Sequence, residues 1–295
     1  MSVGTAALEA LRRSLAYPDW RGKILYGMCR GILAIVPIRR RHVLHELELC
    51  YPESSVKWRR DTLKAIYRHC AWMIVEFLAA VNDPSLVSKM YVEVEGKEYI
   101  DKIKNEGKGA FVLCAHFGNW EVAGSWVPQN GYPMIAAARN ADDADFAKLI
   151  AHYRERLGET IVYKGLPSIR QMIRDAKNGK WIALLADQDA GPNAIPVTFF
   201  GRRTTMVDGP AALSLTAKVP LVGMYPFRLA PFKYKMHIEP PLSTGDEGRT
   251  TKNVFDLTQR ANAQMESMIR LAPEQWFWFH RRWKNVPRGE AKNAK

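Results

Sequence analysis

Near Tyr91 the hydrophobic pattern of this chain changes period, and that change limits the fold more than any other feature. Upstream, over residues 5–82, apolar residues recur at helical spacing, and Pro18, Pro37, Pro52 and Pro84 punctuate the run. Helices are expected at about 5–16, 22–36, 40–50 and 56–81, with Ser54-Ser55 as the cap of the last. Downstream, short β-branched or apolar runs alternate with helical stretches. Strands are expected at Tyr91–Glu95, Ala110–Cys114, Met134–Ala138, Thr160–Tyr163, Trp181–Ala186, Val197–Phe200, Leu221–Tyr225 and Lys235–Glu239. The intervening helices fall at 97–106, 119–129, 143–157, 167–178 and 209–217, and a long helix at about 250–271 precedes a Trp-rich basic tail. Strands joined through helices pair in parallel and bury both faces of their sheet. The expected fold is α/β. A helical N-terminal layer, residues 1–84, packs on a mostly parallel central sheet flanked by helices, residues 85–295.

Charge divides the chain in a similar way. The 295 residues carry a formal net charge of +13. Residues 1–70 hold 13 basic and 6 acidic groups, residues 273–295 hold 6 and 2, and the stretch between is close to neutral. A basic balance calls for an anionic partner: nucleic acid, an acidic membrane surface, or an acidic protein or substrate. No nucleic-acid-binding signature accompanies it, so the reading is a protein with no nucleic-acid partner. Cys29, Cys50, Cys70 and Cys114 form no Cys-x-x-Cys, which argues against disulfides or zinc, and Cys114 reads as a small buried hydrophobe. No metal site is expected. Neither a signal peptide nor an apolar run of the ~20 residues that cross a bilayer is visible. Wound as a helix, residues 23–36 gather Ile24, Leu25, Met28, Ile32, Ile35 and Val36 on one arc, opposite Lys23 and Arg30. Two readings stand for that arc: an interfacial helix lying on a membrane, or an ordinary helix packing on the rest of the protein.

The strongest chemical signal is the end of the second expected strand. An apolar run closes at Cys114, His116 follows, Gly118 offers backbone freedom, and Asn119-Trp120-Glu121 opens a helix. Asn119 is a natural cap, and Glu121 sits in the first turn, where the helix dipole favours a carboxylate. His-x4-Glu on one regular helix would splay the two side chains, but a turn between them lets them meet. Two readings stand for the pair: a structural histidine in a tight strand–helix turn, the commoner reading of so short a motif taken alone, or a general base, His116, paired with Glu121, which would fix its tautomer and stabilise the imidazolium. The attacking hydroxyl would belong to the substrate, because no Gly-x-Ser-x-Gly or catalytic Cys context is present.

His116-Phe117-Gly118-Asn119-Trp120-Glu121 resembles the His-x4-Asp/Glu block of the bacterial lipid A late acyltransferases, within the glycerolipid acyltransferase-like superfamily. The resemblance continues in order through Arg139-Asn140, Arg154 to Gly158, Asp187-Gln188-Asp189, Phe199-Phe200-Gly201, Val219 to Pro226, and Pro273 to Lys284. It implies an acyltransferase that moves a fatty acyl chain from acyl-acyl carrier protein to a hydroxyl of a Kdo-bearing, phosphorylated lipid A precursor. No further cofactor is implied. The implied partners are the acyl carrier protein, the lipid A precursor and the inner membrane surface, on whose cytoplasmic face the chain would sit peripherally. Its implied substrate-binding residues are Asn119, Arg139, Arg156, Asp187, Gln188, Phe200 and Gly201. Arg139 and Arg156 would contact phosphate or carboxylate or serve as structural ion-pair partners, Asp187 would orient one of these arginines or part of the acceptor, and Phe199, Phe200 and Met206 would line an acyl pocket or simply fill the core. The segment from His280 to Lys284 would meet a phosphorylated headgroup or the membrane interface. Related enzymes acylate phosphatidylinositol mannosides, so another lipid acceptor stays open; a basic binding module without catalysis is the remote alternative.

Overall fold

The computed structural model describes residues 3–36, 38–138, 144–163 and 166–285. Arg139 and Asn140, and the end of the basic tail from residue 286, lie outside the described residues. Four helices come first: α1 (Val3–Leu15), α2 (Trp20–Ile35), α3 (Arg40–Cys50) and α4 (Val56–Asn82). Asp19 caps α2 and Ser55 caps α4, each accepting a backbone N–H from the first turn. A short helix α5 (Leu86–Met90) leads into the alternating region: β1 (Tyr91–Glu95), α6 (Lys97–Asn105), β2 (Ala110–Cys114), α7 (Trp120–Gln129), β3 (Met134–Ala138), α8 (Ala144–Arg156), β4 (Thr160–Tyr163), α9 (Leu166–Lys177) and β5 (Trp181–Leu185). Then follow β6 (Ile195–Phe199), β7 (Arg202–Met206), α10 (Gly209–Ala217), β8 (Leu221–Ala230), β9 (Lys233–Ile238) and α11 (Thr251–Leu271).

Seven strands form one sheet in the order β1-β9-β8-β2-β5-β3-β4, parallel except for the antiparallel pair β8 and β9. β8 runs on to Ala230, beyond the expected end at Tyr225, and turns straight back into β9. The expected strand at Val197–Phe200 does not join this sheet. It pairs with β7, which the sequence did not suggest, as a separate two-stranded ribbon. β7 reads Arg-Arg-Thr-Thr-Met and lacks the apolar run that marks a central strand.

The central strands bury both faces. Along β2, Phe111 and Leu113 enter one core, with α9, α10 and α11, while Ala110 and Val112 enter the other, with α5, α6 and α7. Helices α3 and α4 send Val43, Leu47, Leu63 and Ile66 into the first core, and α4 sends Val75 and Leu78 into the second. The N-terminal helices thus share the cores of the sheet.

Of the two readings of the α2 arc, packing on the protein accounts for only part. Gly22 and Leu25 are buried against the neighbouring elements, and Tyr26 stacks on Trp72 of α4 with ring centroids 4.3 Å apart. The rest of the arc faces outward: Ile24, Met28 and Val36 are exposed, Ile32 is 59% exposed and Ile35 83%. Lys23, Arg30, Arg40 and Arg41 are exposed around it. Among the described residues, no helix is long and apolar enough to cross a membrane.

Candidate active site

β2 and β5 lie side by side in parallel, with Cys114 opposite Leu185. Two residues beyond each strand stand His116 and Asp187, so the register alone makes them neighbours at the carboxyl end of the sheet. Open α/β sheets bind their ligands at this end. His116 Nδ1 donates to Asp187 Oδ1 over 2.8 Å, and the His116 backbone N–H donates to Oδ2 over 3.0 Å. Asp187 also accepts the Trp276 indole N–H at 2.8 Å and is 2% exposed. With Nδ1 protonated, Nε2 keeps its lone pair, and the Gln188 side-chain amide reaches it at 3.3 Å. Burial pulls the His116 pKa down, but the charge and hydrogen bond of Asp187 outweigh it and leave it above the ordinary value. Burial raises the Asp187 pKa, and His116 with Trp276 overcomes this and holds it down at about 2. A buried carboxylate that stays ionised beside an imidazole is what a general base needs behind it.

The turn that carries His116 is fixed from several sides. Gly118 has φ +58°, and a Cβ there would lie 1.7 Å from the Pro226 carbonyl oxygen, so only glycine fits. The Gly118 N–H donates to the Gln275 carbonyl, the Gly118 carbonyl meets His69 Nε2, and the Phe277 N–H donates to the His116 carbonyl. Asn119 caps α7 by accepting from the Val122 N–H, while its amide donates to the Met73 carbonyl and to Glu76. It is fully buried and holds the turn in place, away from the cavity. The backbone N–H groups of His116, Phe117 and Gly118 all donate within the protein. None of the three is left to stabilise an oxyanion from this turn.

The expected pairing of His116 with Glu121 is not the one formed. Glu121 accepts a bidentate pair of bonds from Arg154 Nε and Nη2, at 2.8 and 2.7 Å, and one from the Trp120 indole. The strand register gives the imidazole a closer carboxylate in Asp187, and the helix start turns Glu121 toward α8. Glu121 still faces the same space, and its charge adds to the upward pull on His116. Among the described residues, the Asp187 carboxylate is thus bonded to His116 and Trp276 and to no arginine. Arg154, not Arg156, reaches the site: Arg156 donates to the Val81 carbonyl and does not line the cavity. The signal was present in the sequence, because Phe146, Ala147, Ile150, Ala151 and Arg154 form one helical stripe that the structure turns inward.

That space is a cavity of about 580 Å³ between the sheet and α4, α7 and α8, a size typical of small-molecule sites. Strands contribute Val112, Cys114, Ala183, Leu185, Met224 and Met236; helices contribute Met73, Phe77, Val127 and Ile150. His116, Glu121, Arg154, Glu159 and Gln188 supply its charged and amide groups. Cys114 lines the wall, and burial pushes its thiol up to about 12, which keeps it inert. Phe200 and Gly201 do not reach the cavity. They form the tight β6–β7 turn at φ +53° and +70°, where the Phe200 ring packs on Trp276 and Trp278 and its N–H donates to Glu266. Phe199 and Met206 are likewise core residues. The segment from His280 to Lys284 is divided: Arg281 and Lys284 are exposed, and the rest turns inward. Arg282 is fully buried and donates to the Gln188 and Thr205 carbonyls, His280 accepts the Asp189 N–H, and Trp283 is buried.

The profile of a family described as bacterial lipid A biosynthesis acyltransferase matches residues 4–285. The chain is 26% identical over 269 residues to the lipid A biosynthesis palmitoleoyltransferase of Escherichia coli, covering 88% of this chain and 84% of that protein. With the lipid A biosynthesis lauroyltransferase of the same organism it shares 26% over 258 residues, covering 85% and 81%. With the phosphatidylinositol mannoside acyltransferase of Mycolicibacterium smegmatis it shares 27% over 180 residues, covering 60% and 57%.

Proposed function

Because this chain belongs to the bacterial lipid A biosynthesis acyltransferase family, we propose that it transfers a fatty acyl chain from an acyl-acyl carrier protein thioester to a hydroxyl of a phosphorylated, Kdo-bearing lipid A precursor. The observation that carries this reading is the His116–Asp187 pair, whose second imidazole nitrogen, met by the Gln188 amide, faces a largely apolar cavity. His116 Nε2 takes the proton of the acceptor hydroxyl as its oxygen attacks the thioester carbonyl. The buried Asp187 carboxylate stabilises the imidazolium that forms. When the tetrahedral intermediate collapses, the C–S bond breaks and the imidazolium returns its proton to the departing thiolate. The turn donors being engaged, the Gln188 amide and the Arg154 guanidinium are the cavity groups able to stabilise the oxyanion. Glu121 fixes Arg154 in place through its two hydrogen bonds. The apolar walls receive the acyl chain.

The lipid acceptor has to be met at a membrane. The exposed arc of α2, with cations around it, suits peripheral attachment to an anionic surface, and the proposed place is the cytoplasmic face of the inner membrane. A second acceptor class merits a parallel assay, because one relative acts by its name on phosphatidylinositol mannoside. Purified protein is offered acyl-acyl carrier protein with a tetra-acylated lipid A precursor or a phosphatidylinositol mannoside. Acyl transfer to the first, lost by a factor of about 10²–10⁴ in His116→Ala, is the expected result. Full activity in His116→Ala would overturn the mechanism, and product with the mannoside alone would overturn the acceptor.

A further inference from the structure

One polar group on the cavity wall has no part in the steps above. Glu159 precedes β4 and lines the cavity beside α7. Its Oε1 accepts the Ser125 hydroxyl at 2.9 Å, and the fully buried Ser125 is the one hydrogen-bond partner of that carboxyl among the described residues. α7 makes room for it: a Cβ on Gly124 would lie 2.9 Å from Oε1 and 3.1 Å from Oε2. A glycine inside a helix is unfavourable, so this is a built site. The charged groups facing it are Glu121, which repels its ionised form, and Arg154, which attracts it. Burial, then Glu121, pushes its pKa up to about 8, so at neutral pH it is an acid with an O–H to donate. Apart from His116, Glu121, Arg154, Gln188, the Cys114 thiol and the Trp120 indole, which is bonded to Glu121, the remaining side chains of the lining are apolar.

We propose that Glu159 is a specificity-determining residue: it hydrogen-bonds a hydroxyl carried part-way along the fatty acyl chain, so that the cavity selects hydroxylated over plain acyl donors. The proposal rests on the reading that this cavity holds the donor chain. Gly124 and Ser125 lie about one helical turn, ~5 Å, beyond Glu121 on α7, which puts the carboxyl alongside the chain rather than at the reacting carbonyl. A plain methylene there strips water from the carboxyl and gives nothing back, whereas a hydroxyl at that position replaces the lost hydrogen bond. Sites built around a hydrogen bond discriminate more sharply than sites built on apolar contact.

The test compares kcat/KM for acyl carrier protein thioesters of one chain length, either unsubstituted or hydroxylated at successive carbons. Wild type, Glu159→Gln and Glu159→Leu are each measured. In the wild type one hydroxylated isomer is expected to be favoured about tenfold or more over the plain chain. Glu159→Gln, still a donor and acceptor, keeps a preference, and Glu159→Leu loses it while gaining on the plain chain. A merely structural role would slow both donors alike and leave their ratio unchanged. No preference for any isomer in the wild type, or an unchanged ratio in Glu159→Leu, would overturn the proposal. Calorimetric binding of free hydroxylated and plain fatty acids to the same proteins reads the ratio without turnover. Failure of the transfer reaction is thereby distinguishable from failure of the Glu159 assignment.

Discussion

Asp187→Asn would keep the size of the group behind His116 and remove its charge. His116 must be neutral to accept a proton, and its pKa is raised, so activity falls on the acid side with an apparent pKa above the ordinary histidine value. In Asp187→Asn the expected outcome is a lower kcat and an acid limb moved to lower pH, read from the pH dependence of kcat/KM. Glu159 makes the opposite kind of prediction, about stability. Its folded pKa of about 8 lies above the 4.5 of the free group. Its contribution is complete below the unfolded pKa and is lost as pH rises toward the folded one, because the unfolded chain ionises first. Thermal melting of wild type and Glu159→Gln should therefore agree more closely at pH 5 than at pH 8.5, with Gln relatively more stable at the higher pH. At this scale the sequence disclosed His116, Gly118 and the helix-opening Asn119. It did not disclose that Asp187 is the partner of His116, since 70 residues of intervening chain separate them and only strand pairing brings them within 2.8 Å.

Among the elements, α2 offers the clearest test. Its arc was legible from helical spacing, but which of those residues face outward was not. Leu25 is buried and Ile32 and Ile35 are open because the helix touches α4 along only one edge, where Tyr26 meets Trp72. Burying each large aliphatic side chain in an acyl layer is worth about 1.5–3 kcal/mol. The pair Ile32→Asp and Ile35→Asp should then weaken binding to anionic vesicles at least about tenfold in a co-sedimentation assay, with the melting temperature little changed. An unchanged affinity would place the membrane contact elsewhere. The β6–β7 ribbon teaches the reverse lesson. Phe199-Phe200-Gly201 carries strong apolar character, and the sequence left open whether it lined a pocket or a core. Trp276 and Trp278 from the C-terminal segment decide for the core.

Across the whole molecule, both basic ends expose cations among the described residues. The N-terminal cations Lys23, Arg30, Arg40 and Arg41 stay exposed, and of the described C-terminal cations Arg281 and Lys284 are exposed while Arg282 is buried behind Gln188. Attachment to an anionic surface through the exposed arc of α2 should weaken between low and high salt, as screening shortens to ~3 Å at 1 M. Vesicles of zwitterionic lipid should show little of that salt dependence. The sequence by itself determined the helical layer, the alternation that makes a parallel sheet, and the position of His116 at a strand end, because each depends on the local period of apolar residues and on turn chemistry. The tertiary structure alone decided that Asp187 backs the histidine, that Arg154 rather than Arg156 joins Glu121 at the cavity, and that Glu159 faces the interior beside Gly124. These are contacts between distant segments. Strand register and helix rotation fix them once both faces of the sheet are buried, and no local pattern encodes either.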